Sequence, residues 1–321
     1  MDIKQKIKNF IYGDNTDRMF SLYKKRFDRY SFVDCKCTTK KQLEASIIRL
    51  YHTIEKGLSY VNYRAGFGKE NVKKLIISLQ QYAEKYDVGD FCYRTGLSCL
   101  NEYVQKNRKY DFCDDELEKI IAELPGEPNN CGGVVRISAY SDDALNAMNY
   151  EQLIKSRHSM RHFGQESVDK KRLDDAIQLA QHTPSACNRQ GWKTRVISDK
   201  AIMAEVLRNQ NGNKGFGQEF DQLLLITSDV RCFQRDREIF QAFIDGGMYA
   251  ENLINALFYR GIAAVPLSAS LTSTQEVNAR KLLGISDSEV FIMYIGIGCY
   301  PVPDECITTK STRKPSETNW I

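Results

Sequence analysis

Apolar residues recur at helical spacing through the first third of the chain. Leu43, Ile47, Tyr51 and Ile54 fall on one helical face; Val72, Leu75, Ile76, Leu79 and Ala83 fall on a second, and Leu117, Ile120, Ile121 and Leu124 on a third. This pattern predicts a helical N-terminal domain over residues 1–125. It stops at Pro125-Gly126-Glu127-Pro128-Asn129-Asn130-Cys131-Gly132-Gly133, a run that neither a helix nor a central strand tolerates. Residues 126–150 are then a linker and 151–321 a second domain.

In that second half the period changes. Ser167 is placed to cap a helix running to about residue 182, with Leu173, Ile177 and Ala180 on its buried side. Strands are expected over 194–198, 223–227, 263–267 and 289–297, and helices over 236–259 and 274–283. The longer helix contains Gly246-Gly247. A helical glycine costs about 1 kcal/mol relative to alanine, so the pair marks a point where another helix, a partner subunit or a ligand comes close. Strands and helices mix without a strict βαβ alternation, which predicts an α+β fold rather than a doubly wound sheet. No Gly-x-Gly-x-x-Gly follows a strand, so a Rossmann dinucleotide site is disfavoured.

Composition narrows the function classes. Lys and Arg number 45 against 41 Asp and Glu in 321 residues, which gives no electrostatic case for nucleic acid. Residues 1–50 carry twelve basic and six acidic side chains, read as a solvated helical face rather than a membrane or acidic-partner contact. The ten cysteines form no Cys-x-x-Cys, only Cys35-x-Cys37, so a closed zinc site is not indicated. The longest apolar run, from Val290 to Tyr300, is too short to span a bilayer, so no transmembrane segment is expected. With no apolar h-region near Met1, reduced thiols and a cytoplasmic location are expected.

Two polar clusters carry the candidate chemistry. In Ser156-Arg157-His158-Ser159-Met160-Arg161-His162-Phe163, Arg157, Ser159 and Arg161 alternate. In an extended segment they point the same way and offer two guanidiniums and a hydroxyl to one ligand, and the planar arginine fork suits a phosphate. Alone, the octapeptide reads better as a basic turn at a helix end. In Thr183-Pro184-Ser185-Ala186-Cys187-Asn188-Arg189-Gln190-Gly191-Trp192, Pro184 ends the helix and Ser185, Asn188 and Gln190 form a short polar loop. Trp192 then anchors the next strand in the core. Alone, this segment reads equally as an ordinary loop between a helix and a strand.

Together the clusters resemble the nitroreductase family of FMN-dependent oxidoreductases. The Arg-x-Ser-x-Arg/Lys-x-Phe segment is matched by Arg157, Ser159, Arg161 and Phe163, and the Pro-Ser-x-x-Asn-x-Gln-Pro-Trp loop by Pro184, Ser185, Asn188, Gln190 and Trp192. Further matches are Gly247, Ala250, Glu251, Asn252 and Leu253, then Gly261, the turn from Gly296 to Val302, and Arg313 with Pro315. The resemblance covers about residues 150–321 and implies a three-layer α+β fold around a mostly antiparallel sheet. It also implies FMN as cofactor, NAD(P)H as electron donor, a small-molecule acceptor, and a homodimer with FMN at the interface.

By position, it implies that Arg157 and Ser159 bind the FMN phosphate and ribityl chain, with His158 beside them, and that Arg313, with Ser311, closes on the phosphate from the tail. Arg161 is implied near the N1–C2=O edge, Asn188 at the pyrimidine edge and Ser185 on the flavin of the other subunit, with Pro184 and Gln190 also among the cofactor-binding residues. Pro266, Leu267, Ser268 and Ala269 stand where many members place Glu-Gly beside flavin N5. Gly191 replaces the usual proline, and Ser268 replaces the carboxylate.

The segment from Tyr51 to Leu58 resembles part of an N-terminal extension on some bacterial members linked to surface-polysaccharide biosynthesis, a context without a chemistry. His52 and Glu55 lie three apart and read as a structural pair near a helix C-terminus, with Gly57 as the stop. The rival to an oxidoreductase is a flavin-binding or flavin-less scaffold in a polysaccharide assembly complex.

Overall fold

The computed structural model describes residues 15–32, 37–302 and 306–321. Cys35, half of the Cys-x-Cys pair, lies outside them. The chain divides into Asp28–Ile137 with Ile307–Ile321, and Ser138–Cys306 with the described residues up to Phe27. Helix α1 (Asn15–Tyr30) passes from one unit to the other and buries none of its side chains.

The three predicted stripes of the first unit are helices. They lie on α2 (Lys40–Leu58), α3 (Lys69–Ala83) and, beyond the intervening α4 (Phe91–Arg108), α5 (Asp115–Ala122), with only Leu124 falling just past the last helix. Helix α2 opens on a capping box in which Thr39 accepts from the Gln42 N–H and the Gln42 side chain reaches back. The apolar faces of α2, α3 and α4 meet in one core containing Ile47, Ile54, Leu75, Leu79 and Leu100. The run 125–133 does not hang free as a linker. The Tyr93 hydroxyl donates to the Pro125 carbonyl at 2.7 Å, and a Cβ on Gly132 would stand 2.3 Å from the Thr95 carbonyl oxygen, so the loop lies directly on α4. It leads into β1 (Val134–Arg136). Buried Glu55 takes the Gly133 N–H at 3.0 Å and faces His52 Nδ1 at 3.3 Å, so the pair ties α2 to this loop.

The second unit begins with two short helices, α6 (Asp142–Ala147) and α7 (Tyr150–Ser156), followed by α8 (Lys170–Ala180). The cap of α8 is Asp169 rather than Ser167: its carboxylate takes the Arg172 N–H at 2.8 Å. Then come β2 (Trp192–Ile197), α9 (Lys200–Arg208), β3 (Gln222–Asp229), α10 (Gln241–Tyr259), β4 (Ala263–Ser268), α11 (Ser273–Leu283) and β5 (Glu289–Gly298). The strands pair antiparallel in the order β2-β3-β5-β4. Leu224 and Ile226 of β3 pack with α8 and α10 on one face, and α9 approaches β2 and β3. Alternate β3 residues point to opposite faces, so Leu223 and Leu225, also buried, serve the face away from α10. The expected α+β class and its antiparallel sheet are both present.

The last strand, β6 (Ile307–Thr309), pairs antiparallel with β1. That pairing groups residues 307–321 with the helical unit rather than with the second half, where the sequence placed them.

Candidate functional site

The first polar cluster leaves α7 at its C-cap, Arg157, and runs along the outer edge of β4, where the Met160 N–H donates to the Ala264 carbonyl at 2.9 Å. Residues two apart on an antiparallel strand direct their backbone groups to the same edge. Pro266 therefore turns its missing N–H outward, where it interrupts no bond to β5. Met160 and Phe163 are buried. A Cβ on Gly298 would stand 2.7 Å from the Phe163 ring, which meets Phe220 edge-on at 5.5 Å. These anchors fix the backbone between them.

Arg161 is 7% exposed, with Nη1 donating to the Ser159 carbonyl at 3.3 Å, while Arg157 and Ser159 are half-buried. The expected set thus comes from one short pinned segment, with its second guanidinium deeper than its first. His162 Nδ1 lies 2.5 Å from a Glu219 carboxylate oxygen that also accepts the Phe163 N–H at 3.3 Å, and His158 Nδ1 lies 2.8 Å from the Ser156 carbonyl. Both imidazoles therefore brace the segment.

The second cluster is strained. Cys187, Asn188 and Gln190 have φ of 52°, 56° and 49°. The left-handed region costs an L-residue roughly 1–2 kcal/mol, and only Asn among these three types favours it. The surroundings hold them there. Ser185 Oγ accepts the Gln190 N–H at 3.0 Å, and the Gln190 amide donates to the Asn188 carbonyl and side chain at 2.9 and 3.0 Å. Asp245 of α10 accepts the Ala186 N–H at 3.1 Å. Arg189 grips Glu238 through two bonds of 2.6 and 3.1 Å and lies 4.9 Å over the Phe233 ring. The Arg189 guanidinium, with the Gln234 and Arg235 N–H groups, holds the Glu238 carboxyl at about 2.

Beyond the loop, a Cβ on Gly191 would come 3.3 Å from Cys232 Cβ and Ser228 Oγ, a close fit for the residue that replaces proline. Trp192 stacks on Tyr249 at 4.9 Å and donates to Gln181 at 2.9 Å, so it anchors β2 as expected. The braces from Glu238 and Asp245 were not legible in the sequence, because they come from residues about fifty positions away with no motif of their own.

Ser268 ends β4, exposed, its carbonyl accepting from Gln210 at 3.0 Å and its hydroxyl from the Ser270 N–H at 3.0 Å. Pro266, Leu267 and Ser268 are on the strand and Ala269 follows it. Ser311 and Arg313 belong to the helical unit, where Ser311 Oγ lies 2.7 Å from Thr309 Oγ1 and exposed Arg313 donates to the Ser311 carbonyl.

A groove of about 740 Å³ lies beside the second cluster, lined by Tyr150 and Leu153 of α7, Thr183 and Pro184, and Gly247, Met248 and Asn255 of α10. The two helical glycines differ. A Cβ on Gly246 would meet Ile292 at 2.7 Å, so the sheet is its close neighbour; a Cβ on Gly247 would meet nothing within 4 Å, so it opens to the groove. Asn252, also on this wall, donates to Thr183 Oγ1 at 2.8 Å, while Asn255 Oδ1 is buried without a hydrogen-bond partner.

Among the described residues no group of three or more His, Cys, Asp or Glu is placed to hold a metal, and no helix is long and apolar enough to cross a membrane. The nine described cysteines are free thiols.

The Nitroreductase family model matches residues 154–223, a span that holds both clusters. A Streptococcus pyogenes protein provisionally named NAD(P)H nitroreductase Spy0809 is 29% identical over 165 residues, 44% of this chain and 79% of that protein. An FMN-dependent nitroreductase structure from Clostridium difficile R20291 aligns at 18% identity and TM-score 0.41, over 46% of this chain and 86% of that one. A nitroreductase family protein from Clostridium novyi NT aligns at 18% identity and TM-score 0.43, over 48% and 86%. Over residues 154–223, then, this chain is similar to the nitroreductase family, and the Streptococcus pyogenes protein is a relative of the same kind.

Proposed function

We propose that this chain is an FMN-dependent oxidoreductase that takes reducing equivalents from NAD(P)H and delivers them to a small-molecule acceptor, either a nitroaromatic or quinone-like compound or a dedicated biosynthetic intermediate. The observation that carries the reading is the loop from Ser185 to Gln190, which lies inside the matched family span. Three non-glycine residues in left-handed geometry persist only where neighbours over-determine them, and such strain gathers at ligand clamps. The name of the Streptococcus pyogenes relative supports NAD(P)H as donor.

The residues present fit a flavin mononucleotide. Arg157, Ser159 and Arg161 bring two cations and a hydroxyl to one braced segment, which suits a phosphate and a polyol chain. Arg161, largely withdrawn from water, would stabilise negative charge at the pyrimidine edge more strongly than an exposed cation does. Asn188 and Gln190 supply amides of fixed direction, and the backbone from Pro266 to Ala269 supplies the face beside N5. His158 braces the phosphate segment. Bound FMN supplies the hydride and one-electron chemistry, so no side chain is needed as a dedicated acid or base.

The working form is a homodimer with FMN at the interface, Pro184 and Ser185 reaching the flavin of the other subunit. The groove along α10 supports this: it is largely apolar, it opens at Gly247, and it adjoins Pro184. A cytoplasmic location is part of this reading, and the nine described cysteines, all free thiols, are compatible with it.

The test is a titration of FMN fluorescence against the purified protein. Arg157→Ala lowers FMN affinity by about tenfold or more while leaving the melting temperature of the flavin-free protein unchanged. Equal affinity in the two proteins would remove the arginine segment from the cofactor site.

A further inference from the structure

The edge of β4 that Met160 occupies continues to the end of the strand. Ala264, Pro266 and Ser268 lie two apart, so the N–H and carbonyl of Ser268 point outward with the Ala264 carbonyl, away from β5. The Ser268 carbonyl is taken by Gln210, whose Nε2 donates to it at 3.0 Å. The Ser268 N–H meets no acceptor among the described residues.

Gln210 sits in the loop after α9 and is 6% exposed. An amide so withdrawn from water costs stability unless both its ends are hydrogen-bonded. Its oxygen accepts the Gly212 N–H at 2.7 Å and Asn213 Nδ2 at 3.0 Å. Asn213 Nδ2 also donates to the Leu207 and Gln210 carbonyls at 2.8 and 2.7 Å, which ties the loop to the end of α9. With its oxygen held by two donors, the amide has one direction left for its nitrogen. On the far side of the loop, Asn211 and Gln275 exchange bonds of 3.4 and 3.1 Å, and Gln275 completes the capping box that opens α11. A Cβ on Gly212 would stand 3.0 Å from Gln210 Nε2, so a side chain there would press the amide off its carbonyl. Ser268 itself is exposed, and water could satisfy its carbonyl. What the glutamine adds at this strand end is direction.

Given the proposed placement of FMN N5 beside the end of β4, on which this rests, we infer that Gln210 is a positioning residue for the flavin. By fixing the Ser268 carbonyl it fixes the Ser268 N–H on the same edge as the donor that faces N5. A donor held in place needs no reorganisation when charge moves on the ring, whereas a loose one shares its bond with water.

Nuclear magnetic resonance of the protein saturated with FMN that carries the heavy nitrogen isotope at N5 tests this, because a ring nitrogen's resonance moves upfield when it accepts a hydrogen bond. Ser268→Pro deletes the N–H and, like Pro266, interrupts no bond to β5; it moves the N5 resonance downfield. Gln210→Met deletes the donor to Ser268 and moves the resonance the same way. Gly212→Ala leaves every polar group in place, displaces the Gln210 amide, and moves it in that direction by less. If Gln210→Met does not fold, Gly212→Ala decides alone. The role of Gln210 is overturned, with the cofactor reading intact, if Ser268→Pro moves the resonance and the Gln210 and Gly212 variants do not. It falls together with the placement of N5 if Ser268→Pro leaves the resonance unmoved, and together with the cofactor reading if the wild type binds no FMN.

Discussion

Cys187, Asn188 and Gln190 hold backbone angles that their side chains disfavour, and the Arg189–Glu238 and Ala186–Asp245 contacts hold them there. Cys187→Gly removes the conformational penalty at an exposed position and raises unfolding stability by about 1 kcal/mol, read in urea melts. The same change loosens the loop, so flavin affinity falls as stability rises. A second residue-scale prediction concerns Glu289. Burial raises its carboxyl pKa, but hydrogen bonds from Arg195, Thr227 and Lys193 outweigh burial and hold it at about 2, against 4.5 in an unfolded chain. A depressed folded pKa stabilises the native state fully above the unfolded value. That stabilisation, at most about 3 kcal/mol, is lost as pH falls from 4.5 toward 2. Glu289→Gln removes this part of the acid-unfolding slope, which urea melts across that range would show. Arg157, Ser159 and Arg161 stand out in the sequence by type and spacing, and the structure puts them on one segment pinned by buried Met160 and Phe163. The strain at Cys187 was not legible there, because the loop uses no glycine at any of its left-handed positions.

At the scale of elements, long amphipathic segments were legible and short ones were not. Helices α2, α3 and α10 and strands β3 and β5 follow apolar runs long enough to fix their period. Strands β1 and β6 have three residues each, too few for any alternation, and exist because they pair across the whole chain. Helix α4 carries Gly96 and a mixed face, and its burial comes from Leu79 and Ile47 on the neighbouring helices. The glycine pair of α10 was read as one close-approach point and proves to be two different positions. Gly246→Ala forces a methyl against Ile292 and destabilises the protein by about 1–3 kcal/mol. Gly247→Ala meets open space and stabilises the isolated subunit by up to about 1 kcal/mol through helix propensity. If α10 packs against a second copy, that same methyl weakens the dimer, which sedimentation at several concentrations would register.

For the molecule as a whole, the sequence assigned the cofactor chemistry to one half and left the other without a role. The second half was legible because its two polar clusters follow a pattern of residue type and spacing that the family model also matches. The helical half was opaque because it carries no motif: Val134–Arg136 and Ile307–Thr309 lie far apart in the sequence and meet only as β1 pairs with β6. The central claim concerns redox chemistry at the braced arginine segment and the strained loop, and an anaerobic titration of the purified, FMN-saturated protein with NADH and then NADPH tests it most directly. The account predicts a yellow protein whose flavin absorbance bleaches with at least one of the two nicotinamides and returns when an acceptor such as a quinone is added. A colourless protein that FMN cannot reconstitute, or a bound flavin that neither nicotinamide reduces, contradicts it.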